Sequence, residues 1–426
     1  MKQVKKIKRL KNFSRAKVKI PGSKSYTQRA FLCAALCEDT SVVINPLLSE
    51  DTLLLKNALE RVGVQIEEKA SGFRITGKPF PELEGEVFFG NNGTGSRFFL
   101  AYASLGKGEG VKILGVPRLH ERPVSPLIKA LRSLGAKIEC LEKEGHFPVL
   151  VKEGNFKKGR VKLPGNVSSQ FFSALLLISP VLPGELELYV EGELLSGAYI
   201  EMTQEVMEAF GVSVIREGNL IKVPYKPYKA TRFEVEADAS SASYFLIIPA
   251  VLGGGEVMVE NYVYPSRQAD SKLIEFLKEM GAEVKVIKPR GIMVRFGGRP
   301  EAGEFDLKDC PDLFPTMCIL GAVSRGRTVL KGAPHLRYKE TDRISAMAKE
   351  LQKVGVKVEE LPDGLIIEGT KDFSPATIST YNDHRIAMAF AVLGLRTGGI
   401  EIEDPECVQK SFPNFWECLE DLYENG

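Results

Sequence analysis

One unit recurs six times along this chain, and the recurrence constrains the fold more than any single motif. A strongly apolar segment runs into a Gly-rich or polar turn and then into a strand-like run. The copies are AFLCAALCEDTSVVI, FFLAYASLGKGEGVKI, FFSALLLISPVLPGELEL, YFLIIPAVLGGGEVMV, CILGAVSRGRTVL and AMAFAVLGLRTGGIEI. Their turns fall at Asp39, Gly106, Gly184, Gly254, Gly326 and Gly398, spaced by 67 to 78 residues. Self-similarity at a fixed period marks a chain built by stacking one supersecondary unit. The apolar segments carry no polar face, so as helices they belong inside a core.

A second motif interleaves with the first: an amphipathic helix, a Gly, then a strand. It reads LKNALERVGVQI, IKALRSLGAKIE, QEVMEAFGVSVI, LIEFLKEMGAEV and AKELQKVGVKVE. Gly63, Gly135, Gly211, Gly281 and Gly355 each follow the helix, where a positive φ is cheap for Gly alone. A sixth such helix, over residues 414–423, ends the sequence without its strand. At 426 residues the chain exceeds one ordinary core, so six units divide as three plus three in an α/β (α+β) protein of two domains. Residues 222–229 (KVPYKPYK), polar and punctuated by Pro, are the expected linker.

The residues just ahead of the buried helices are mostly N-cap chemistry: Lys24-Ser25, Gly93-Thr94-Gly95-Ser96, Ser168-Ser169-Gln170, the stretch 239–243, and Asn382-Asp383-His384. Pro311-Asp312 is the exception, interrupted again by Pro315. Basic residues recur with these starts: Arg29, Arg97, Arg343 and Arg385. A helix N-terminus already carries about half a positive charge. A cation there opposes the dipole unless an anion binds, and an Arg fork matches carboxylate and phosphate geometry. The stretch 239–243 has no basic partner and reads as an ordinary cap. Two motif readings fail. Residues 21–29 (PGSKSYTQR) are not a Walker A loop, because Ser23 stands where that motif needs Gly, and residues 90–95 do not fit G-x-G-x-x-G. Both remain phosphate-friendly loops.

Asp312, in a Pro-flanked turn, is a candidate helix cap or general base. Glu340, between Lys339 and Arg343, is a candidate ion-pair partner or catalyst. His384 precedes Arg385 at a helix start, and Arg118 and Arg122 flank His120 in a loop.

A formal net charge of +2 argues against nucleic acid as the partner. The seven cysteines are scattered, with no CxxC and no HExxH, so reduced thiols are expected and neither a metal site nor a cofactor. The basic start MKQVKKIKRLKN lacks an apolar stretch behind it and reads as a solvated edge strand rather than a signal peptide. No apolar run reaches transmembrane length without interruption, so no membrane partner is expected and the cytoplasm is the expected compartment.

Taken together, these motifs resemble the enolpyruvyl transferase superfamily and, within it, the 5-enolpyruvylshikimate-3-phosphate synthase family. The carriers are PGSKS with Arg29, GNNGT at 90–94, Pro117-Arg118 with Glu121-Arg122-Pro123, Ser168-Ser169-Gln170, DASSASYF at 238–245, KETDR at 339–343, YNDHR at 381–385 and KSFP at 410–413. The resemblance implies two domains, each of three βαβαββ units with pseudo-three-fold symmetry (an inside-out α/β barrel). The first domain would span 20–236, and the second 1–19 plus 237–426. The active site would lie in a cleft that closes on substrate. It implies transfer of the enolpyruvyl group of phosphoenolpyruvate to the 5-hydroxyl of shikimate 3-phosphate by a monomer. It implies that Lys24, Ser25, Arg29, Ser168, Ser169, Gln170, Ser196, Tyr199, Asp312 and Lys339 hold shikimate 3-phosphate. Phosphoenolpyruvate would be held by Lys24, Gly93, Thr94, Arg118, Gln170, Arg343, His384, Arg385 and Lys410. Asp312, Glu340 and Lys24 would be catalytic.

The sequence departs from the family pattern at His335, often Asn, and at Asn92 and 95–98, beside the site where the inhibitor glyphosate sits in the family. The nearest rival is the UDP-N-acetylglucosamine enolpyruvyl transferase. That family typically has Lys-Asn where this chain has Lys24-Ser25, and a loop Cys where this chain has none between Cys37 and Cys140. A ring-like nucleic-acid-binding repeat protein is the rival from another class, and the low net charge weighs against it.

Overall fold

A computed structural model describes residues 3–425. Its contacts divide the chain into two compact units, Gly22–Val235 (the first unit) and Met1–Pro21 with Glu236–Gly426 (the second). Residues 1, 2 and 426, the ends of the second unit, lie outside the described residues.

The six apolar segments form the helices Lys24–Ala35, Gly93–Ala103, Ser169–Ile178, Ala239–Leu246 continued by Ile248–Leu252, Phe314–Val323 and His384–Thr397. They are buried because they offer water no polar face. All ten residues of Phe314–Val323 are buried, as are all but two of His384–Thr397. The amphipathic series forms Glu50–Arg61, Ser125–Ser133, Ala198–Ala209, Leu273–Glu279, Arg343–Lys353 and Phe415–Asn425. The glycines after the first five take φ of +99°, +111°, +85°, +97° and +87°, the left-handed turn that lets each chain reverse into a strand.

The second, third and fifth repeats each close on a small sheet of their own strands. In Glu86–Phe88, Val111–Leu114, Val149–Lys152 and Lys137–Cys140 the first two strands are parallel and the others antiparallel. Gly159–Pro164, Leu186–Glu191, Leu220–Val223 and Ile215–Glu217 repeat the pattern, as do Glu304–Asp306, Arg327–Lys331, Gly364–Glu368 and Lys357–Leu361. The parallel pair flanks each buried helix, which is the βαβ crossover, and the hairpin follows the amphipathic helix.

Two sheets take strands from far away in sequence. Arg15–Val18 leads into the Lys24–Ala35 helix of the first unit, yet it pairs with Gly255–Val259 of the second. Arg232–Glu234 leads into the Ala239–Leu246 helix of the second unit, yet it pairs with Thr40–Ile44 of the first. In the last sheet Ile400–Glu403 pairs in parallel with Ala376–Ile378, and Val4–Ile7 fills the antiparallel place. The N-terminal segment is thus a paired strand of the second unit. Ile7 packs so closely on that core that a Cβ at Gly394 would lie 2.7 Å from the Ile7 side chain.

One expectation is corrected. Residues 222–229 are not a linker: Leu220–Val223 is a sheet strand, and buried Tyr228 donates to the Leu177 carbonyl at 2.8 Å. An edge-to-face contact of Tyr228 with Phe210 helps hold this Pro-rich stretch within the first unit. Among the described residues no helix is long and apolar enough to cross a membrane.

Candidate functional site

Hydrogen bonds and ion pairs link several of the sequence-selected residues within each unit. In the first unit Lys24 opens its helix behind the cap Ser23, whose hydroxyl accepts from the Tyr26 amide. The Lys24 ammonium lies 3.0 Å from Asp51, a buried carboxylate in the first turn of Glu50–Arg61. Asn92 caps the next helix by accepting from the Gly95 amide at 2.7 Å, and its own amide donates to the Asp51 carbonyl at 2.7 Å. The sequence departures at Asn92 and Gly95 are linked: a Cβ at Gly95 would sit 2.3 Å from the Asn92 side chain. Gly93 is equally constrained. A Cβ there would meet the Arg122 guanidinium at 2.4 Å, and Arg122 is fixed by donating to the Asn91 carbonyl at 3.0 Å.

Gln170 joins two starts. Its amide donates to Thr94 Oγ1 at 2.8 Å and its carbonyl accepts from Arg97. Its backbone N–H is capped by Ser168. Ser169 is buried one residue earlier. Ser196 is held in the left-handed region at φ +58°, just ahead of the helix that carries Tyr199.

Arg29 is 1 % exposed. It donates to Thr203 Oγ1 at 2.8 Å, to the carbonyls of Ser25 at 3.0 Å and Tyr199 at 3.2 Å, and to Ser173 at 3.4 Å. All of these are neutral oxygens, and no carboxylate among the described residues pairs with it. Burial pulls its pKa down to about 10. Arg29 and Arg97 also correct the expectation about helix starts: they occupy the sixth and fifth positions of their helices, in the second turn. Arg118 is not on a loop but in the short helix Pro117–Glu121, ion-paired to Glu121 at 2.9 Å on a partly exposed face.

In the second unit Asp312 sits on the turn Pro311–Leu313, ahead of the Phe314–Val323 helix. One carboxylate oxygen accepts from Arg343 at 3.0 Å and the other from Arg385 at 2.9 Å. Arg343, 1 % exposed, also donates to Asp383 at 2.8 Å and to Glu340 at 2.8 Å. Burial opposes the charge on Arg343, but Asp383, Glu340 and Asp312 outweigh it and raise its pKa. Lys410, buried, reaches Glu340 at 4.0 Å. Asp383 caps the His384–Thr397 helix through the Arg385 amide, and His384 is fully buried beside it. Here the anion that offsets Arg343 and Arg385 at their helix starts is supplied at least partly by the protein itself. Lys339 ends the turn Pro334–Tyr338, which carries His335. Burial, with Lys339 adding to it, pushes the His335 imidazole down to about 3, so it stays neutral. The stretch 239–243 is an ordinary cap, with Asp238 accepting from the Ser241 amide at 2.7 Å.

Sequence reasoning missed Asp51, which looks like any first-turn acid in SEDT, and the tether of Arg122 to Asn91. It also missed Asp270, a buried carboxylate near Asp312 with no motif around it. Among the described residues no group of His, Cys, Asp or Glu is arranged to hold a metal ion.

A protein-family model described as EPSP synthase (3-phosphoshikimate 1-carboxyvinyltransferase) matches residues 4–419. A 3-phosphoshikimate 1-carboxyvinyltransferase of Syntrophobacter fumaroxidans is 40% identical over 96% of this chain and 97% of its own. One of Methanothermobacter thermautotrophicus is 41% identical over 94% of each. The solved EPSP synthase of Acinetobacter baumannii superposes with a TM-score of 0.82 at 30% identity, covering 99% of this chain and 98% of that one.

Removing Arg343 would leave buried Asp383 and half-buried Glu340 without their shared cation. Arg343→Met is expected to lower stability by roughly 3–5 kcal/mol, read from the urea midpoint of the purified variant. A midpoint at or above the wild-type value would contradict the role given to this cage.

Proposed function

Because the chain belongs to the EPSP synthase family, we propose that it moves the enolpyruvyl group of phosphoenolpyruvate onto the 5-hydroxyl of shikimate 3-phosphate and releases phosphate. It is a transferase with the two-domain inside-out α/β fold of that family. The rival transfer to UDP-N-acetylglucosamine belongs to a sister family.

The observation that carries the reading is Arg29: a fully buried guanidinium bonded to neutral oxygens, with one of its five N–H groups left over. A cation held out of water without a counter-ion is stabilised by an anionic ligand. Both substrates are polyanions. Lys24, Ser25, Arg29, Ser168, Ser169, Gln170, Ser196 and Tyr199 of the first unit, with Asp312 and Lys339 of the second, would hold shikimate 3-phosphate. Phosphoenolpyruvate would fall to Lys24, Gly93, Thr94, Arg118 and Gln170, and to Arg343, His384, Arg385 and Lys410. Gln170 suits a place between the two, since its amide is fixed at both ends by Thr94 and Arg97.

The chemistry needs one proton removed from the 5-hydroxyl and one delivered to the methylene carbon of phosphoenolpyruvate. The C–O bond then forms at the cationic carbon. Loss of phosphate with deprotonation of the new methyl restores the enol ether. Asp312 is the proton acceptor in this scheme, its two oxygens held by Arg343 and Arg385 so that the carboxylate is fixed before substrate arrives. Glu340, between Arg343 and Lys410, is the proton donor, and Lys24 stabilises charge on the phosphate side. The seven free cysteines suit a reducing compartment, and we place the enzyme in the cytoplasm as a monomer.

Phosphate release from phosphoenolpyruvate plus shikimate 3-phosphate, without added metal, is the direct measurement. No release, or equal release with UDP-N-acetylglucosamine as acceptor, would refute the reading. Arg29→Met is expected to raise the KM for shikimate 3-phosphate by roughly 10- to 100-fold, the loss of one charge-assisted contact, while the protein stays folded. Asp312→Asn is expected to lower kcat by roughly 10²- to 10⁴-fold, with binding of both substrates seen by calorimetry. Normal turnover in that variant would remove Asp312 as the base.

A further inference from the structure

We infer that Asp270 is a positioning residue for the proton chemistry of Asp312: a buried carboxyl whose charge, acting through space, strengthens Asp312 as a base. The inference rests on the assignment of Asp312 as proton acceptor. Asp270 lies in the second unit on the turn Ala269–Lys272 and is 2 % exposed. Its Oδ2 accepts from the Ser240 hydroxyl, while its Oδ1 is buried with no hydrogen-bond partner among the described residues. The turn packs against Pro311–Leu313, which carries Asp312, and against the Ala239–Leu246 helix, which carries Ser240.

The groups around Asp270 make it a titrating site. Asp238 faces it from the helix cap, and Cys310 and Asp312 from the neighbouring turn. Tyr262 faces it from the loop after Gly255–Val259, and Arg385 from the His384–Thr397 helix. On its own side of the chain, Lys272 is engaged with Glu275. A carboxylate with a bare oxygen in the interior resists ionisation. Burial pushes the Asp270 carboxyl up to about 7, with Asp312 adding to the rise and Arg385 and Ser240 opposing it.

This has a consequence for the base. Two guanidinium forks stabilise ionised Asp312, which makes it a weaker proton acceptor. A negative charge on Asp270 works the other way. Below about pH 7 Asp270 keeps its proton and gives no such help. As pH rises through that value it ionises, Asp312 holds a proton more firmly, and turnover increases. Asp270 need not touch substrate to do this.

The experiment is kcat and KM against pH for wild type, Asp270→Asn and Ser240→Ala. Asp270→Asn keeps the shape and can still accept from Ser240. It is expected to lower kcat by roughly three- to tenfold, to leave both KM values within about twofold, and to abolish the rise in kcat near neutral pH. Ser240→Ala removes a bond that favours ionised Asp270, so it moves that rise to higher pH. An Asp270→Asn profile parallel to wild type overturns the inference, whatever its absolute rate, because a merely structural loss scales the curve without reshaping it. If Asp270→Asn does not fold, Ser240→Ala decides, and an unshifted profile overturns the inference. An active Asp312→Asn removes the base assignment itself, and this inference with it. An inactive Asp312→Asn beside an unchanged Asp270→Asn profile overturns this inference alone.

Discussion

A guanidinium taken out of water costs several kcal/mol unless its charge and its N–H groups are met, and Arg343 meets that demand with three carboxylates. Much of the second unit's site follows from this cage. Asp383 can serve Arg343 only because it also caps the His384–Thr397 helix, which sets where that helix begins. Glu340 is held one turn before Arg343, and Lys410 is drawn toward it. Asp312 takes the remaining face of Arg343 and the fork of Arg385, so a carboxylate ahead of a wholly buried helix is fixed in one orientation. The geometry is set by charge pairing among residues 312, 340, 343, 383 and 385, which are brought together by the repeat.

The first unit solves the same problem differently. Arg29 is as deeply buried as Arg343, yet its partners are hydroxyls and backbone carbonyls. The charge is oriented but not neutralised. One cluster is therefore nearly balanced in charge, while in the other the buried Arg29 guanidinium meets only neutral oxygens.

Much of this was legible in the sequence because the repeat imposes it. An apolar helix, a turn and a strand at a fixed period leave few ways to bury the helix, and the Gly after each of the first five amphipathic helices declares a left-handed turn. The site motifs were legible because they stand at helix starts, as Ser168, Asn92 and Asp383 do. What was not legible depends on contacts between segments distant in sequence. Lys222–Val223 and Tyr228 look like linker until the Leu177 carbonyl and the Phe210 ring claim Tyr228. Arg29 and Arg97 look like first-turn residues, although their side chains reach partners 73 or more residues away. Asp51 and Asp270 carry no local signature, since an acid in a first turn is unremarkable until its neighbours are known.

The pairing of strands distant in sequence has a bearing on how the protein is made. Residues 4–18 leave the ribosome before the strands they join: Val4–Ile7 pairs with Ile400–Glu403 and Arg15–Val18 with Gly255–Val259. During synthesis these strands have no partner until most of the chain exists, and their row of open backbone groups must be kept from pairing with another molecule. The charges of Lys5, Lys6, Lys8, Arg9 and Lys11 repel other copies of the same segment over that interval. The first sheet of the first unit waits less long, for Arg232–Glu234, so that unit can be complete while the second is still being translated. The same stretch of basic residues thus suits a nascent strand that has to stay soluble and alone until its place is built.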